Sequence, residues 1–142
     1  MLKSRTITVS IDRPVAEVYD YLAQPANMPA WTTALGSSFE QVEGREWIAR
    51  MPSDTRGPLT VRFCERNKLG VLDYEVSRPG ESPLLVPMRV YPNEGGCDLQ
   101  FTYFQRPGVS DEKLDSEVEW VHTDLLTLKA LLEAQGRGGT WD

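Results

Sequence analysis

The start of the chain alternates apolar and polar residues with a period of two. From residue 6 to residue 11, Thr or Ser alternates with Ile or Val, which is the pattern of a half-buried β-strand. The spacing of apolar residues then becomes helical, with Asp12 placed to cap a helix and Pro14 suited to its first turn. We therefore predict a strand followed directly by a short helix that ends near Ala23.

The middle of the chain holds short strand-like runs separated by turn signals. Before the first of them, Pro25 and Pro29 limit the segment up to Trp31 to a second short helix. Stretches rich in Gly, Pro and Asn then separate six apolar runs. The runs cover residues 37–42, 45–51, 58–65, 69–77, 84–91 and 97–105. Together with the first strand they predict a sheet of about seven strands.

The last third of the chain has the pattern of one long amphipathic helix. Ser110 is a suitable N-cap, and Asp111 and Glu112 place carboxylates in the first turn, where they complement the helix dipole. An apolar seam follows over about six turns. It consists of Leu114, Val118, Val121, Leu125, Leu128 and Leu132. Because an apolar sheet face must be covered, we expect the sheet to curl around this helix.

The chain is predicted to form one α+β domain. We find no repeat or linker, and we place the domain at residues 1–136, with a flexible tail at 137–142. One strand register brings the apolar residues of the later strands to a common face. In it Leu72, Tyr74 and Val76 lie opposite Val90, Met88 and Val86, and Arg62, Asp73, Arg89 and Gln100 form a row on the outer face.

The charge of the chain excludes several classes of partner. Its net charge is -6, and its 15 Lys and Arg residues are scattered singly, so we expect no binding to nucleic acid or to anionic membrane surfaces.

No apolar stretch reaches the ~18 residues of a membrane span, and no signal peptide is evident, so we expect a cytoplasmic protein. Cys64 and Cys97 lack a CxxC spacing and are expected to be reduced, outward-facing thiols.

Motifs for metal or cofactor binding are missing from the sequence. One His and two distant Cys do not form a tetrahedral zinc set, and no carboxylate cluster has calcium-loop spacing. There is no phosphate loop, no GxGxxG after a strand and no GxSxG. We therefore expect neither a metal nor a cofactor.

Several segments resemble the START-like superfamily, in which a helix-grip fold is shared by polyketide cyclases, lipid-transfer domains and birch-pollen-type allergens. They are IDRPVAEVYDYLAQPANMPAW after the opening strand, GVLDYEV, RVYPNEGGCDLQFTYFQ, and DLLTLKALLE in the closing helix. The chain is most similar to the bacterial SRPBCC, or polyketide cyclase/dehydrase-like, group. The resemblance implies a cavity between the sheet and the last helix for lipids, polyketides, quinones or aromatic metabolites.

His122 and Tyr74 are the candidates for proton transfer in such a cavity. His122, the only histidine, flanks the apolar seam of the last helix, with Glu119 and Asp115 nearby on the same helix. The alternative is a histidine at the helix edge with no chemical role. Tyr74 and Tyr103 fall on the inner face, where a phenol needs a hydrogen-bond partner, so they either orient a ligand or fill the core.

The leading hypothesis is therefore non-covalent binding of a hydrophobic or aromatic small molecule. The predicted ligand-binding residues are Trp31, Trp47, Phe63, Tyr74, Met88, Phe101, Tyr103, Val118, His122 and Leu125. The competing hypothesis is a cyclase or dehydratase that works without a metal, with His122 or Tyr74 as general acid or base. A third is a partner-binding domain; a homodimer is compatible with the sequence, and Trp120, which points away from the seam, is a candidate contact.

Overall fold

The computed structural model describes residues 1–33, 35, 38–50 and 56–139. Within them, eight strands, two α-helices and a 3₁₀ helix follow one another along the chain. They are β1 (Ser4–Ile11), α1 (Val15–Leu22), the 3₁₀ helix (Pro25–Ala30), β2 (Ser38–Glu43), β3 (Glu46–Arg50), β4 (Leu59–Phe63), β5 (Tyr74–Ser77), β6 (Leu84–Val86), β7 (Met88–Asn93), β8 (Gly96–Phe104) and α2 (Asp111–Gly139).

The strands form two antiparallel sheets that meet at a bend. One sheet has the order β1-β8-β7 and the other β2-β3-β4-β5-β6. At the junction the amide of Thr102 donates to the Pro87 carbonyl at 2.9 Å, and the amide of Leu72 donates to the Met88 carbonyl at 2.8 Å. The two sheets therefore act as one curved wall around α2. The predicted α+β architecture, an antiparallel sheet curved around a C-terminal helix, is confirmed.

The strand count differs from the prediction because of one proline. Pro87 interrupts the predicted run 84–91 and divides it into β6 and β7. Proline has no N–H to donate to a strand ladder, so pairing with one neighbour stops there. The run 69–77 is also shorter than predicted, since only its second half forms β5 and Val71 makes an isolated bridge to Arg89.

The predicted register of β5 is wrong by two residues. Tyr74 pairs with Val86 and Val76 with Leu84, whereas we expected Tyr74 opposite Met88. Because side chains alternate along a strand with a period of two, this shift keeps the same residues on the inner face. The apolar wall is therefore preserved although its cross-strand pairs differ.

The predicted outer row of charges is correspondingly interrupted. Arg62 pairs with Glu75 instead of lying beside Asp73. Asp73 still contacts Arg89, with 3.2 Å between Asp73 Oδ2 and Arg89 Nη2, and it also accepts a hydrogen bond from the Met88 amide at 2.9 Å. Asp73 is therefore held by structural partners.

The helix ends are only partly as predicted. Asp12 does not cap α1, which begins after Pro14 without a side-chain cap; the Asp12 amide instead donates to Glu133 Oε2 at 2.8 Å. Ser110 does cap α2, because its Oγ accepts a hydrogen bond from the Lys113 amide at 3.1 Å. The helix continues to Gly139 and so includes the first three residues of the predicted tail; Thr140, Trp141 and Asp142 lie outside the described residues.

Gly70 permits a close approach of two backbone segments beside the junction. Its φ is +74°, and a Cβ at this position would lie 2.1 Å from the Val90 carbonyl oxygen. The Gly70 carbonyl in turn accepts a hydrogen bond from the Val90 amide at 3.0 Å. Only glycine combines this backbone conformation with this approach.

The two halves of α2 pack differently against the sheet. In the second half Leu125, Leu128 and Leu132 are fully or almost fully buried in the core. This half is also fixed to β1, because Lys129 Nζ donates to the Ser10 carbonyl at 2.6 Å. The first half is buried mainly at Leu114, and it leaves space between itself and the sheet.

Two other expectations concern membranes and cysteines. Among the described residues, no helix is both long enough and apolar enough to cross a bilayer. Cys97 is buried at 1% exposure, so the prediction that it points outward is wrong, because Cys97 pairs with Ile11 on the inner part of β8. Both cysteines are free thiols.

Candidate functional site

A cavity of about 470 Å³ lies between the first half of α2 and the concave face of the sheet. This volume is within the range of about 300–1,000 Å³ that is typical of small-molecule sites. The sheet side of the cavity is formed mainly by aliphatic and aromatic side chains from four strands. They are Leu59, Tyr74, Val76, Leu84, Val86, Phe101 and Tyr103.

The helix side of the cavity is one stripe of α2. Residues three or four positions apart lie on the same face of a helix, and the stripe follows this spacing. It consists of Lys113, Glu117, Trp120, Val121 and Asp124. The cavity therefore lies beside the apolar seam of α2, along the edge that carries polar residues.

Asp124 fixes the segment that follows the 3₁₀ helix. Its carboxylate is 6% exposed and accepts hydrogen bonds from Thr32 Oγ1 at 3.1 Å, from the Thr33 amide at 3.2 Å and from Thr33 Oγ1 at 3.3 Å. Trp120 Nε1 also donates to Thr33 Oγ1. Since Thr32 and Thr33 line the cavity together with Trp31, this network holds one wall in place.

Tyr103 and Glu117 form a second polar contact across the cavity. The Tyr103 hydroxyl donates to Glu117 Oε2, which joins β8 to α2. Burial raises the pKa of Tyr103, and the hydrogen bond to Glu117 and the charge of that carboxylate raise it further. The phenol therefore stays protonated at neutral pH and serves as a hydrogen-bond donor within the protein.

Tyr74 differs from Tyr103 in that its hydroxyl makes no hydrogen bond to any described residue. The side chain is 9% exposed, and its ring centroid lies 5.7 Å from that of Phe63 and 6.5 Å from that of Phe101. Within the described part of the chain the hydroxyl makes no hydrogen bond, and no fully enclosed polar atom lacks a partner there. The Tyr74 hydroxyl therefore borders accessible space.

The electrostatics of Tyr74 indicate which space this is. Burial raises the pKa of Tyr74, with smaller contributions from Tyr103 and from the Asp124 carboxylate. Both neighbours line the cavity. The structure thus presents a neutral phenol to the cavity interior as a hydrogen-bond donor.

Four of the predicted site residues lie on the cavity wall, namely Trp31, Tyr74, Phe101 and Tyr103. The three strand residues share the inner face because of the strand period, and Trp31, at 5% exposure, closes the end near the 3₁₀ helix. The structure therefore brings together the aromatic residues that the register placed inside.

The predicted helix residues do not lie on the wall. His122 is exposed to solvent, because it precedes Asp124 by two positions and so lies about 160° away from it around a helix of 3.6 residues per turn. Val118 is half-buried and does not line the cavity, and Leu125 is completely buried in the core. The expectation that His122 looks into the cavity is wrong.

Three further predicted residues, Trp47, Phe63 and Met88, do not line the cavity. Trp47 stacks on Phe39 with ring centroids 4.9 Å apart. Phe63 and Met88 instead line a much smaller void of about 30 Å³ behind Trp31. The apolar pattern of the sequence could not distinguish the side chains that line the cavity from the other apolar side chains of the sheet.

Sequence reasoning missed the polar stripe of α2. Glu117, Trp120 and Asp124 recur at helical spacing beside the seam, and this recurrence was the available signal. The burial of Asp124, four positions before the buried Leu128, was the least expected feature, since carboxylates are seldom buried without partners. In the described residues no three His, Cys, Asp or Glu side chains come together as a metal site.

A family model described as polyketide cyclase / dehydrase and lipid transport matches residues 4–133. No curated protein sequence matches the chain.

Solved structures with low sequence identity share the fold. An uncharacterized protein from Bacillus thuringiensis has a TM-score of 0.71 and 17% identity, with 91% of this chain and 98% of that chain covered. Ara h 8.0201 has a TM-score of 0.66 and 13% identity, with 94% and 99% covered. DynU16, encoded in the dynemicin biosynthetic locus, has a TM-score of 0.64 and 16% identity, with 92% and 47% covered.

Proposed function

This chain belongs to the polyketide cyclase/dehydrase and lipid transport family, and we propose that it binds a hydrophobic or aromatic small molecule in the cavity between its sheet and α2. The observation that carries the proposal is a largely apolar cavity of about 470 Å³ that contains one unoccupied phenol hydroxyl. Sites for small molecules typically combine such a wall with a few polar groups that fix orientation.

The apolar wall supplies the affinity in this proposal. Each ~100 Å² of apolar ligand surface buried there contributes about 2.5 kcal/mol before the costs of association. Phe101 and Trp31 offer flat surfaces for an aromatic ligand. Asp124 keeps Trp31 in place through its hydrogen bonds to Thr32 and Thr33.

Tyr74 supplies the specificity. Its hydroxyl is a neutral donor whose raised pKa keeps it protonated, and within the described residues no side chain or backbone group accepts its proton. A ligand carbonyl or hydroxyl oxygen fits this position. Tyr103 is less available, since Glu117 already accepts its proton in a hydrogen bond.

The geometry favours a binding protein over a cyclase or dehydratase. His122 lies outside the cavity, so it cannot reach a bound ligand from its place on α2. The Asp124 carboxylate is engaged by three donors. The raised pKa of Tyr74 keeps its phenol protonated at neutral pH, so the phenol is a weak acid and its basic form is absent. The proposal therefore assigns no proton-transfer role to these residues.

A matched pair of variants tests the binding site. Val76 lines the cavity and Val42 is 60% exposed on β2, so Val76→Phe fills the cavity while Val42→Phe makes the same change outside it. We expect the wild type and Val42→Phe to bind the neutral apolar fluorophore Nile red with similar affinity and Val76→Phe to bind it at least about tenfold more weakly, the loss of about 1.4 kcal/mol. Equal binding by all three would show that the dye binds elsewhere.

A further inference from the structure

The described residues that line the cavity include more cations than anions, although the protein as a whole is negatively charged. Among the described residues that line the cavity, four are cationic and two, Glu117 and Asp124, are anionic. The whole chain has a net charge of -6, so this excess of cations runs against the composition. The cations are Arg56, Arg78, Arg106 and Lys113.

The cations come from loops and from the first turn of α2, at one end of the cavity. Arg106 and Lys113 flank the connection from β8 to α2, which is held by the bond from the Val109 amide to the Arg106 carbonyl at 3.1 Å. Arg78 Nη1 donates to the Gly57 carbonyl at 3.0 Å and so lies beside the segment that carries Arg56. These loops form the mouth of the cavity.

Arg106 and Lys113 are the cations best placed to receive an anion. Arg106 contacts the carboxylate of Glu81 at 3.4 Å, and both side chains are more than a third exposed. An exposed ion pair of this kind contributes little to stability, so a ligand can replace its carboxylate. The ammonium group of Lys113 has no ion-pair partner within the described residues.

The anionic residues give the cavity a direction. Asp124 lies eleven residues after Lys113 on α2, which at 1.5 Å per residue is about 16 Å along the helix. A carboxylate at the Asp124 end would be repelled and would also displace its hydrogen-bonded threonines. An acidic group is therefore favoured at the mouth, near Lys113 and Arg106, over the end near Asp124.

Resting on the proposed function, we propose that the ligand is an amphipathic monocarboxylic acid. Its carboxylate binds Arg106 and Lys113 at the mouth, and its apolar body extends along α2 toward Asp124. Arginine binds carboxylates through two parallel hydrogen bonds, and Arg106 already contacts one in Glu81. Tyr74 then faces the apolar body and any further oxygen atom it carries.

The test compares ligands that differ only in charge. Dodecanoic acid and dodecanamide are titrated at low salt, below their aggregation concentrations, by displacement of Nile red from the wild-type protein. We expect the acid to bind about tenfold more tightly than the amide, as for a hydrogen bond to a charged group. Added salt should weaken binding of the acid and leave binding of the amide unchanged.

Three variants localise the effect. Lys113→Gln and Arg106→Gln should each weaken binding of the acid more than binding of the amide and so remove most of the preference for the acid. Lys68 is exposed and lies outside the cavity, so Lys68→Gln makes the same change in net charge and should retain the preference.

The outcomes separate this inference from the proposed function. Equal affinities for acid and amide, or a preference that survives in both cavity variants, would overturn the inference and leave the hydrophobic site standing. Failure of acid, amide and Nile red alike would overturn both.

Discussion

Replacing Tyr74 by Phe should weaken ligand binding without lowering the stability of the protein. The variant keeps the ring, which lies 5.7 Å from Phe63 and 6.5 Å from Phe101, and removes only the hydroxyl. Because that hydroxyl has no partner within the described residues, its loss breaks no bond in the protein. Most hydroxyl deletions in a core have the opposite effect, since they remove a hydrogen bond.

The magnitudes follow from the two environments. A buried hydroxyl without a partner costs about 1–3 kcal/mol, and the cavity relieves part of this cost, so we expect the free energy of unfolding to stay unchanged or to rise by up to ~1 kcal/mol. A hydrogen bond to a ligand oxygen contributes about 0.5–1.5 kcal/mol. Binding of a ligand with a carbonyl group, such as 2-acetylnaphthalene, should therefore weaken about two- to tenfold.

Tyr103→Phe is the matched control. It removes the hydrogen bond to Glu117 and should lower the free energy of unfolding by about 1 kcal/mol. Urea denaturation measures stability, and isothermal titration calorimetry measures affinity for 2-acetylnaphthalene and for 2-ethylnaphthalene, which has no oxygen. The reasoning is refuted if Tyr74→Phe is destabilised as much as Tyr103→Phe, or if it binds both naphthalenes as the wild type does.

Three further changes test the structure around the cavity. Asp124→Ala removes the acceptor of the hydrogen bonds from the Thr33 amide and from two threonine hydroxyls. It should lower the free energy of unfolding, measured by urea denaturation, by about 2–3 kcal/mol, and a decrease below ~0.5 kcal/mol would contradict the role of this network. Gly70→Ala places a Cβ 2.1 Å from the Val90 carbonyl oxygen and should lower the free energy of unfolding by at least about 1 kcal/mol. Gly44→Ala is the control and should cost less, because Gly44 also has a positive φ, +54°, but a Cβ there would meet no atom within 4 Å. The folded pKa values of Tyr74 and Tyr103 are raised above the ordinary value of 10.0, so the unfolded chain releases these two protons first and stability should fall as the pH rises above about 10. Absorbance at 295 nm should show these two tyrosines ionising after the exposed ones, and ionisation of all five tyrosines together near pH 10 would contradict their burial.

The fold was predictable because each element leaves a periodic trace. Alternation identified β1, and the seam through Leu125, Leu128 and Leu132 identified α2 as the element that covers the sheet. The register of β5 was not predictable, because a slip of two residues keeps Tyr74 on the same face. The division at Pro87 had a signal in the proline itself, which cannot donate to a ladder.

The site was predictable on the sheet and not on the helix. Tyr74 and Tyr103 follow from strand alternation, which fixes the face a side chain occupies. The cavity lies where the curved sheet and α2 are not in contact, and no local pattern in the sequence predicts this position. We placed the cavity on the side of His122, whereas it lies along Glu117 and Asp124.

The most direct test is to observe where a ligand binds. Intermolecular nuclear Overhauser effects can be recorded between bound 2-acetylnaphthalene and the ¹³C-labelled methyl groups of the protein. Our account predicts contacts to the methyl groups of Val76, Leu84 and Val86, which line the cavity. Contacts confined to exposed methyl groups such as those of Leu85 and Leu126 would contradict an internal binding site.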